Sequence, residues 1–185
     1  GLGLTICGKL VEMMDGSIDV KSTPGKGSVF SFDIQLDLSK ELPAQPPGIP
    51  NVELKGLRVL VMDDTPVNRD ILEDYLKAWN MRCDNCSTAK QALSMMEKAV
   101  RDNDPYRFVL VDYRIGEDNA MQLAEWVKNS PLKLDPSLFM VTALSQVVTS
   151  TNLIEKGFSG LFIKPFFPNQ LKAALQVLWD AKQQG

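Results

Sequence analysis

Four short apolar runs in this sequence each end on a side chain that could act in phosphate or metal chemistry. The residues at their ends are an acidic pair, a single aspartate, a threonine and a lysine, namely Asp63-Asp64, Asp112, Thr142 and Lys164. Runs of this length and composition predict strands that are buried on both faces of a parallel sheet. Because open α/β sheets bind ligands at the carboxyl ends of their strands, we expect three carboxylates, a hydroxyl and an ammonium to converge on one edge.

This set of side chains suits a metal-assisted phosphoryl transfer. Clustered carboxylates repel one another and are costly to desolvate, so they predict a bound cation. An all-oxygen site suits Mg²⁺, which binds oxygen at about 2.0 to 2.1 Å and retains several waters. Phosphoryl transfer needs an in-line nucleophile and positive charge around the phosphate oxygens. In that chemistry Asp112 is the nucleophile, Asp63 and Asp64 hold the metal, Thr142 donates to the phosphate and Lys164 supplies a point charge.

The order and approximate spacing of these residues resemble the five-residue signature of two-component response regulator receiver domains, here Asp63-Asp64, Asp112, Thr142 and Lys164-Pro165. The resemblance covers residues 56–182. It implies that Asp112 is phosphorylated in the presence of Mg²⁺, with the backbone carbonyl of Arg114 as a further metal ligand. It also implies a cis peptide bond after Lys164.

The segment that follows Asp112 departs from the family pattern. Residues 113–120 stand where the family usually has Met-Pro followed by Met-Asp-Gly. The side chain of Arg114, two residues past the nucleophile, could reach the phosphate or shield it from water. We therefore expect an unusual lifetime of the phosphorylated state, in either direction.

A second departure lies on the last predicted strand. Leu161 stands three residues before Lys164, where the family often has a tyrosine or phenylalanine that swings inward on phosphorylation. Phe162 is adjacent, but strand alternation directs it to the opposite face. Signalling across the surface formed by the last two strands and helices is therefore expected to be weak or altered.

From Lys55 onward the sequence alternates predicted strands and helices five times. Apolar residues at helical spacing predict helices that begin near Thr65-Pro66, Ser87-Thr88, Asn119, Gln146 and Pro168. The alternation predicts an α/β fold with a doubly wound, five-stranded parallel sheet. The expected strand order is 2-1-3-4-5, that of the flavodoxin-like receiver fold.

The first 38 residues follow a different pattern. Apolar residues at helical spacing end at Asp15-Gly16, and two alternating segments then flank a turn at Thr23 to Gly27, which predicts a helix followed by a β-hairpin. With Gly1 and Gly3 before the helix, this order resembles the last quarter of a sensor histidine kinase ATP-binding domain, in which these glycines belong to the ATP lid. The Mg-ATP-binding motifs of that family come earlier, so Gly1 and Gly3 are expected to be a remnant that does not function alone.

The domain organisation expected from these patterns has three parts. Residues 1–38 form an incomplete ATP-binding domain, residues 39–55 form a linker that contains Pro43, Pro46, Pro47 and Pro50, and residues 56–182 form the receiver domain. The arrangement resembles the C-terminal part of a hybrid sensor histidine kinase. The chain contains no histidine, so a phospho-histidine donor must lie elsewhere.

The net charge and the lengths of the apolar runs restrict the kinds of partner that this chain is expected to bind. The net charge of −3 gives no basic surface for nucleic acid or anionic lipid, and no apolar run approaches the roughly 20 residues of a membrane span. We expect a cytoplasmic fragment without direct membrane contact, within a parent protein that could be membrane-anchored. The expected partner is a histidine kinase core or a histidine phosphotransfer protein, and formation of a homodimer is left open.

The function expected from the sequence is that of a phosphorelay receiver that takes a phosphoryl group from phospho-histidine onto Asp112 with Mg²⁺. ATP would be used only by the intact parent kinase, and this chain alone is not expected to be a kinase. An alternative is a receiver-fold docking or autoinhibitory module that is not phosphorylated. A phosphohydrolase of the haloacid dehalogenase type would need a second aspartate two residues after Asp63, where Thr65 stands.

Overall fold

The structure is a computed structural model that describes residues 2–37, 50, 52–115, 118–143 and 150–184. The chain divides into two compact units, with the boundary between Pro46 and Pro47. This boundary falls inside the stretch expected to be a linker. The domain limits given above remain predictions, and each unit is described by itself.

The first unit contains helix α1 (Leu2–Glu12) and the antiparallel strands β1 (Ser17–Thr23) and β2 (Gly27–Asp33). A helix followed by a hairpin is thus confirmed. Gly16 joins them, and a Cβ atom there would lie only 1.9 Å from the carbonyl oxygen of Asp33, so the turn requires glycine. Within residues 2–37 only Val11 is buried. Such a small assembly has almost no core of its own.

The second unit begins with β3 (Arg58–Met62), α2 (Pro66–Ala78), β4 (Arg82–Cys86), α3 (Ala89–Arg101) and β5 (Phe108–Asp112). A short antiparallel pair, β6 (Arg114–Ile115) and β7 (Asp118–Asn119), comes next. The chain continues through α4 (Ala120–Asn129), β8 (Ser137–Ala143), α5 (Ser150–Glu155), β9 (Phe158–Lys164) and α6 (Pro168–Gln184). The helix predicted near 146–156 is represented by α5, and residues 144–149 lie outside the described residues.

The five long strands of this unit form one parallel sheet in the order β4-β3-β5-β8-β9. Counted along the chain, these strands have the order 2-1-3-4-5, so the predicted topology is confirmed. Helices α3, α4 and α5 cover one face, where apolar side chains form the α3–α4 core, which includes Leu60, Met62, Val109, Val111, Met96 and Leu123. Helices α2 and α6 cover the other face and form the α2–α6 core, which includes Val59, Val61, Leu110, Phe139, Leu76 and Leu175.

The last strand is out of simple register with its neighbour. Leu138 of β8 pairs with Phe158, but Phe139 pairs with Gly160, so Ser159 is left out of the pairing. A Cβ atom on Gly160 would lie 2.9 Å from two ring atoms of Phe139. Glycine at this position therefore allows the Phe139 ring to pack against β9.

The side chains after this shift alternate as the sequence predicts. Leu161 packs against the α3–α4 core, whereas Phe162 lies in the α2–α6 core. The Phe162 ring contacts both Phe139 and Phe166, with ring centroids 5.4 and 5.2 Å apart. The aromatic side chain next to Leu161 is thus held on the opposite face of the sheet.

In the described part of the chain, no helix combines the length and the apolar character that a membrane crossing requires.

The segment before β3 packs against the helices of the second unit. Leu54 is buried in the α2–α6 core. Gln176, a buried side chain on α6, donates from Nε2 to the backbone carbonyl of Val52 over 3.0 Å. A buried amide needs such a partner, because an unsatisfied polar group costs stability. Val52 and Leu54 are therefore held by contacts with α6 and the α2–α6 core.

Replacement of Gln176 should loosen this segment. For Gln176→Ala we expect a loss of about 1 to 2 kcal/mol in the free energy of unfolding, since a buried hydrogen bond is lost. Amide hydrogen exchange should accelerate mainly in residues 52–57. The matched control is Gln183→Ala, an exposed glutamine in the last turn of the same helix. Equal effects of the two substitutions would contradict the role given to Gln176.

Candidate functional site

Three of the predicted site residues meet at the carboxyl edge of the sheet. Asp63 follows β3, Asp112 ends β5, and Lys164 ends β9. The Lys164 ammonium donates to Oδ2 of Asp63 over 3.1 Å and also to Oδ2 of Asp112. One cation therefore joins two carboxylates that come from different strands, as the parallel topology predicts. The peptide bond between Lys164 and Pro165 is cis, as expected.

Asp63 is the most enclosed of these side chains, with 2% of its surface exposed. Its Oδ1 accepts the backbone N–H of Thr65 over 2.9 Å. The amide of Asn68 donates to both carboxylate oxygens, over 3.1 Å to Oδ1 and 3.0 Å to Oδ2. The Arg69 guanidinium donates to the backbone carbonyl of Asp63 over 2.6 Å. The start of α2 thus holds both the side chain and the backbone of Asp63.

These contacts decide the ionisation of the site. Burial by itself raises the pKa of Asp63, but hydrogen bonds from the Thr65 amide, Lys164 and Asn68 outweigh it and hold that pKa below its usual range. Burial likewise opposes the charge of Lys164, but its bonds to Asp112 and Asp63 raise the pKa of the ammonium. Both groups are therefore charged at neutral pH.

The other predicted residues lie around this centre. Asp64 is exposed, and its Oδ1 accepts a hydrogen bond from the Thr65 hydroxyl over 3.1 Å. Thr142 is buried near the end of β8, and its hydroxyl donates to the carbonyl of Ala143 over 3.4 Å. Arg114 lies on β6, where its backbone pairs with that of Asn119.

The remaining two predicted residues belong to the first unit. Gly3 lies on α1, and Gly1 is outside the described residues. Their assignment to an ATP lid remains a prediction.

The donor set at the sheet edge can be tested for its fit to Mg²⁺. Among the residues that the structure describes, no three histidine, cysteine or acidic side chains form a metal cluster. Two carboxylates, those of Asp63 and Asp112, do meet on one ammonium. Mg²⁺ sites in phosphoryl-transfer proteins commonly use one or two carboxylates together with water and phosphate oxygens. The chemistry of these residues therefore fits a magnesium ion.

An apolar groove of about 230 Å³ adjoins the site. It is lined by α2, by Lys164 at the end of β9 and by the residues that follow, namely Asn68, Ile71, Leu72, Tyr75, Lys164, Pro165 and Phe166. Three large apolar side chains on the same elements are exposed, namely Val67 (62%), Ile71 (46%) and Phe167 (71%). A larger open cavity of about 680 Å³ between α4 and α5 contains none of the predicted site residues.

Two residues that hold the site are not predicted by the strand-end pattern. Asn68 and Arg69 follow Asp63 by five and six positions, in the first turn of α2. A signal was available in their spacing, because the first turn of a helix that directly follows a strand lies beside the end of that strand. Polar residues in this turn are therefore candidates for contact with Asp63.

Two family models match this chain. The response regulator receiver domain model matches residues 59–176. The model for histidine kinase-, DNA gyrase B- and HSP90-like ATPases matches residues 1–38. The two matched regions coincide with the two patterns distinguished in the sequence.

Curated relatives align with nearly the whole chain. The autoinducer 2 sensor kinase/phosphatase LuxQ of Vibrio vulnificus strain YJ016 is 28% identical over 174 residues, which cover 92% of this chain and 20% of the relative. The sensor protein TorS of Escherichia coli K12 is 29% identical over 169 residues, covering 89% of this chain and 17% of the relative. The chain thus spans about a fifth of the length of these relatives.

Solved structures share the fold of the second unit. A response regulator receiver domain protein from Methanospirillum hungatei JF-1 has a TM-score of 0.60 at 20% identity, over 71% of this chain and all of that one. The receiver domain of sensor histidine kinase PA1611 from Pseudomonas aeruginosa PAO1, which has magnesium in its active-site cleft, has a TM-score of 0.57 at 21% identity, over 66% of this chain and 96% of that one.

Removal of the shared ammonium should destabilise the fold. In Lys164→Met the two carboxylates lose their common cation. We expect the free energy of unfolding to fall by about 2 kcal/mol at neutral pH. This expected change is smaller than the cost of breaking a fully buried ion pair and larger than the contribution of an exposed one to stability. Denaturant unfolding measures the change. The control is Lys182→Met, which removes a surface pair with Asp135 and should cost at most about 1 kcal/mol. An equal or smaller loss for Lys164→Met would contradict this prediction.

Proposed function

The chain belongs to the response regulator receiver family over residues 59–176, and from this premise we propose that it accepts a phosphoryl group from phospho-histidine onto Asp112 with Mg²⁺. The observation that carries the proposal is the bridge from Lys164 to Asp112 and Asp63. The bridge joins a nucleophilic carboxylate, a cation and a second carboxylate at the sheet edge. Phosphoryl transfer needs these groups positioned in advance.

In the proposed reaction a carboxylate oxygen of Asp112 attacks phosphorus. The new O–P bond forms as the P–N bond of phospho-histidine breaks, and the imidazole nitrogen leaves with the electron pair. Lys164 already contacts the nucleophile, so its ammonium can follow the negative charge onto the phosphate oxygens. Thr142, at the end of the neighbouring strand, is proposed to donate its hydroxyl to the same group.

Asp63, Asp64, Asp112 and the backbone carbonyl of Arg114 are proposed to hold Mg²⁺, which when bound neutralises charge on the carboxylates and the phosphate. Asp63 is suited to this role because its surroundings keep it ionised. Asp64 is exposed, and the hydrogen bond that it accepts from the Thr65 hydroxyl is also exposed, so its side chain can turn toward a cation at little cost.

The match of residues 1–38 to the histidine kinase-like ATPases confirms the second resemblance. The order of the two matches along one chain supports a hybrid sensor histidine kinase as the parent protein. The phosphodonor is then a histidine of the kinase core or of a histidine phosphotransfer protein. Use of ATP is proposed only for the complete kinase, because residues 2–37 comprise one helix and one hairpin.

The apolar groove beside Lys164 supports docking of such a partner. Ile71 in the groove and the exposed Val67 and Phe167, which lie next to groove residues in the sequence, can bury apolar surface against a helical protein, as in other helix-in-groove contacts. A partner bound there would bring its phospho-histidine near Asp112. The groove is thus proposed as the docking surface of the phosphodonor.

Phosphoryl uptake tests the chemistry directly. Incubation with acetyl phosphate and Mg²⁺ should add one phosphoryl group to the wild type and none to Asp112→Asn, because the amide is not a nucleophile. Intact mass spectrometry detects the adduct, and its decay over time gives the lifetime that the segment after Asp112 sets. The control Asp135→Asn alters an exposed aspartate and should behave as wild type.

Failure of the wild type to form an adduct, both with acetyl phosphate and with a phosphorylated histidine phosphotransfer domain, would overturn the proposal. The same fold would then act as an unphosphorylated docking module. An adduct that persists in Asp112→Asn would show that another residue is the nucleophile.

Docking is tested by separating the two phosphodonors. Ile71→Arg places a charge in the groove and should slow transfer from a phosphorylated histidine phosphotransfer domain at least about tenfold, since buried apolar contact is lost. Uptake from acetyl phosphate should be unchanged. Ile154→Arg is the control, because Ile154 is an exposed isoleucine (74%) on α5. Equal slowing by both substitutions would contradict the assignment of the groove.

A further inference from the structure

Asn68, in the first turn of α2, makes a pair of contacts with a carboxylate that lies outside the helix. Its Nδ2 faces both oxygens of the Asp63 carboxylate, over 3.1 and 3.0 Å. The donor points back across Thr65 and Pro66 to the end of β3, outside the helix to which it belongs. The side chain is half-buried, so the bonds are sheltered from competing water.

The contacts of Asp63 differ in how easily they can be exchanged. The Thr65 amide and the Asn68 side chain both belong to the start of α2 and are fixed by it. Lys164 is a long, flexible chain whose ammonium is shared with Asp112. Oδ1 therefore accepts hydrogen bonds from Asn68 and from the N-cap residue Thr65, whereas Oδ2 also bears the exchangeable Lys164 contact.

We propose that Asn68 is a positioning residue for Mg²⁺ binding, which holds the Asp63 carboxylate so that Oδ2 stays on the side of Asp112. The terminal torsion of an aspartate is broad, so an unrestrained carboxylate would rotate between orientations. The Asn68 amide removes this freedom before the cation arrives. Such preorganisation raises affinity because the ordering cost is already met. This inference rests on the proposed function.

A purely structural role for Asn68 makes a different prediction. If the amide only fastened α2 to β3, its loss would lower stability and leave the affinity of the folded protein for Mg²⁺ unchanged. The Arg69 bond to the Asp63 carbonyl already fastens the same two elements. The second link through Asn68 is the one that touches the carboxylate itself.

The test compares Asn68→Ala with Asn85→Ala. Asn85 also donates its amide to a carboxylate, that of Glu73 on α2 over 2.9 Å, away from the site. Mg²⁺ binding is measured by calorimetry with magnesium chloride on the folded proteins, without a phosphodonor. We expect Asn68→Ala to bind Mg²⁺ about three- to tenfold more weakly, because the Asp63 carboxylate loses the amide that orients it, and Asn85→Ala to match wild type. Circular dichroism verifies that both variants are folded. Alanine has a high helix propensity, so Asn68→Ala should retain α2.

Phosphorylation by acetyl phosphate gives the second measurement. At limiting Mg²⁺ Asn68→Ala should be slowed in proportion to its weaker binding, and at saturating Mg²⁺ its rate should return to that of the wild type. Unchanged Mg²⁺ affinity in a folded Asn68→Ala protein overturns the inference and leaves the proposed function intact. A wild type that neither binds Mg²⁺ nor takes up phosphate overturns both.

Discussion

Burial of the central strands on both faces is the constraint on which the site depends. Residues 59–62 of β3 and 108–111 of β5 are almost completely inaccessible to solvent. A charged side chain within these stretches would lose its hydration without compensation, so polar chemistry is confined to the strand ends. Asp63 and Asp112 occupy the first positions where a carboxylate can find donors. Because the buried parts of the strands exclude charged side chains, the two carboxylates lie together at one edge of the sheet.

That concentration of charge is balanced by three groups from two elements. Lys164 approaches from the last strand, and the Thr65 amide and Asn68 approach from α2. Without them, two carboxylates this close would repel each other and shift toward the protonated form. The arrangement keeps Asp63 ionised, which a cation-binding carboxylate requires. The groups that stabilise the cluster are thus also the groups that keep Asp63 ionised.

The strand-end residues could be predicted from the sequence because each follows an apolar run, and the topology because strands and helices alternate. Asp64 shows the limit of this approach. It adjoins Asp63, yet neighbouring side chains leave a strand in opposite directions, and only Asp63 is enclosed. Asn68 and Gln176 were missed for another reason. Their partners, Asp63 and Val52, are set by how a helix lies on the sheet, which periodicity does not specify.

Ser159, which is left out of the pairing with β8, reverses the alternation of side chains along β9. Phe158 and Lys164 are an even number of residues apart, so an uninterrupted alternation would place both on one face. Instead Phe158 enters the α3–α4 core, while Lys164 borders the groove along α2 and meets Asp63 and Asp112. One residue outside the pairing inverts the parity of every side chain after it. The register shift near the start of β9 therefore determines the face of the sheet on which the Lys164 side chain lies.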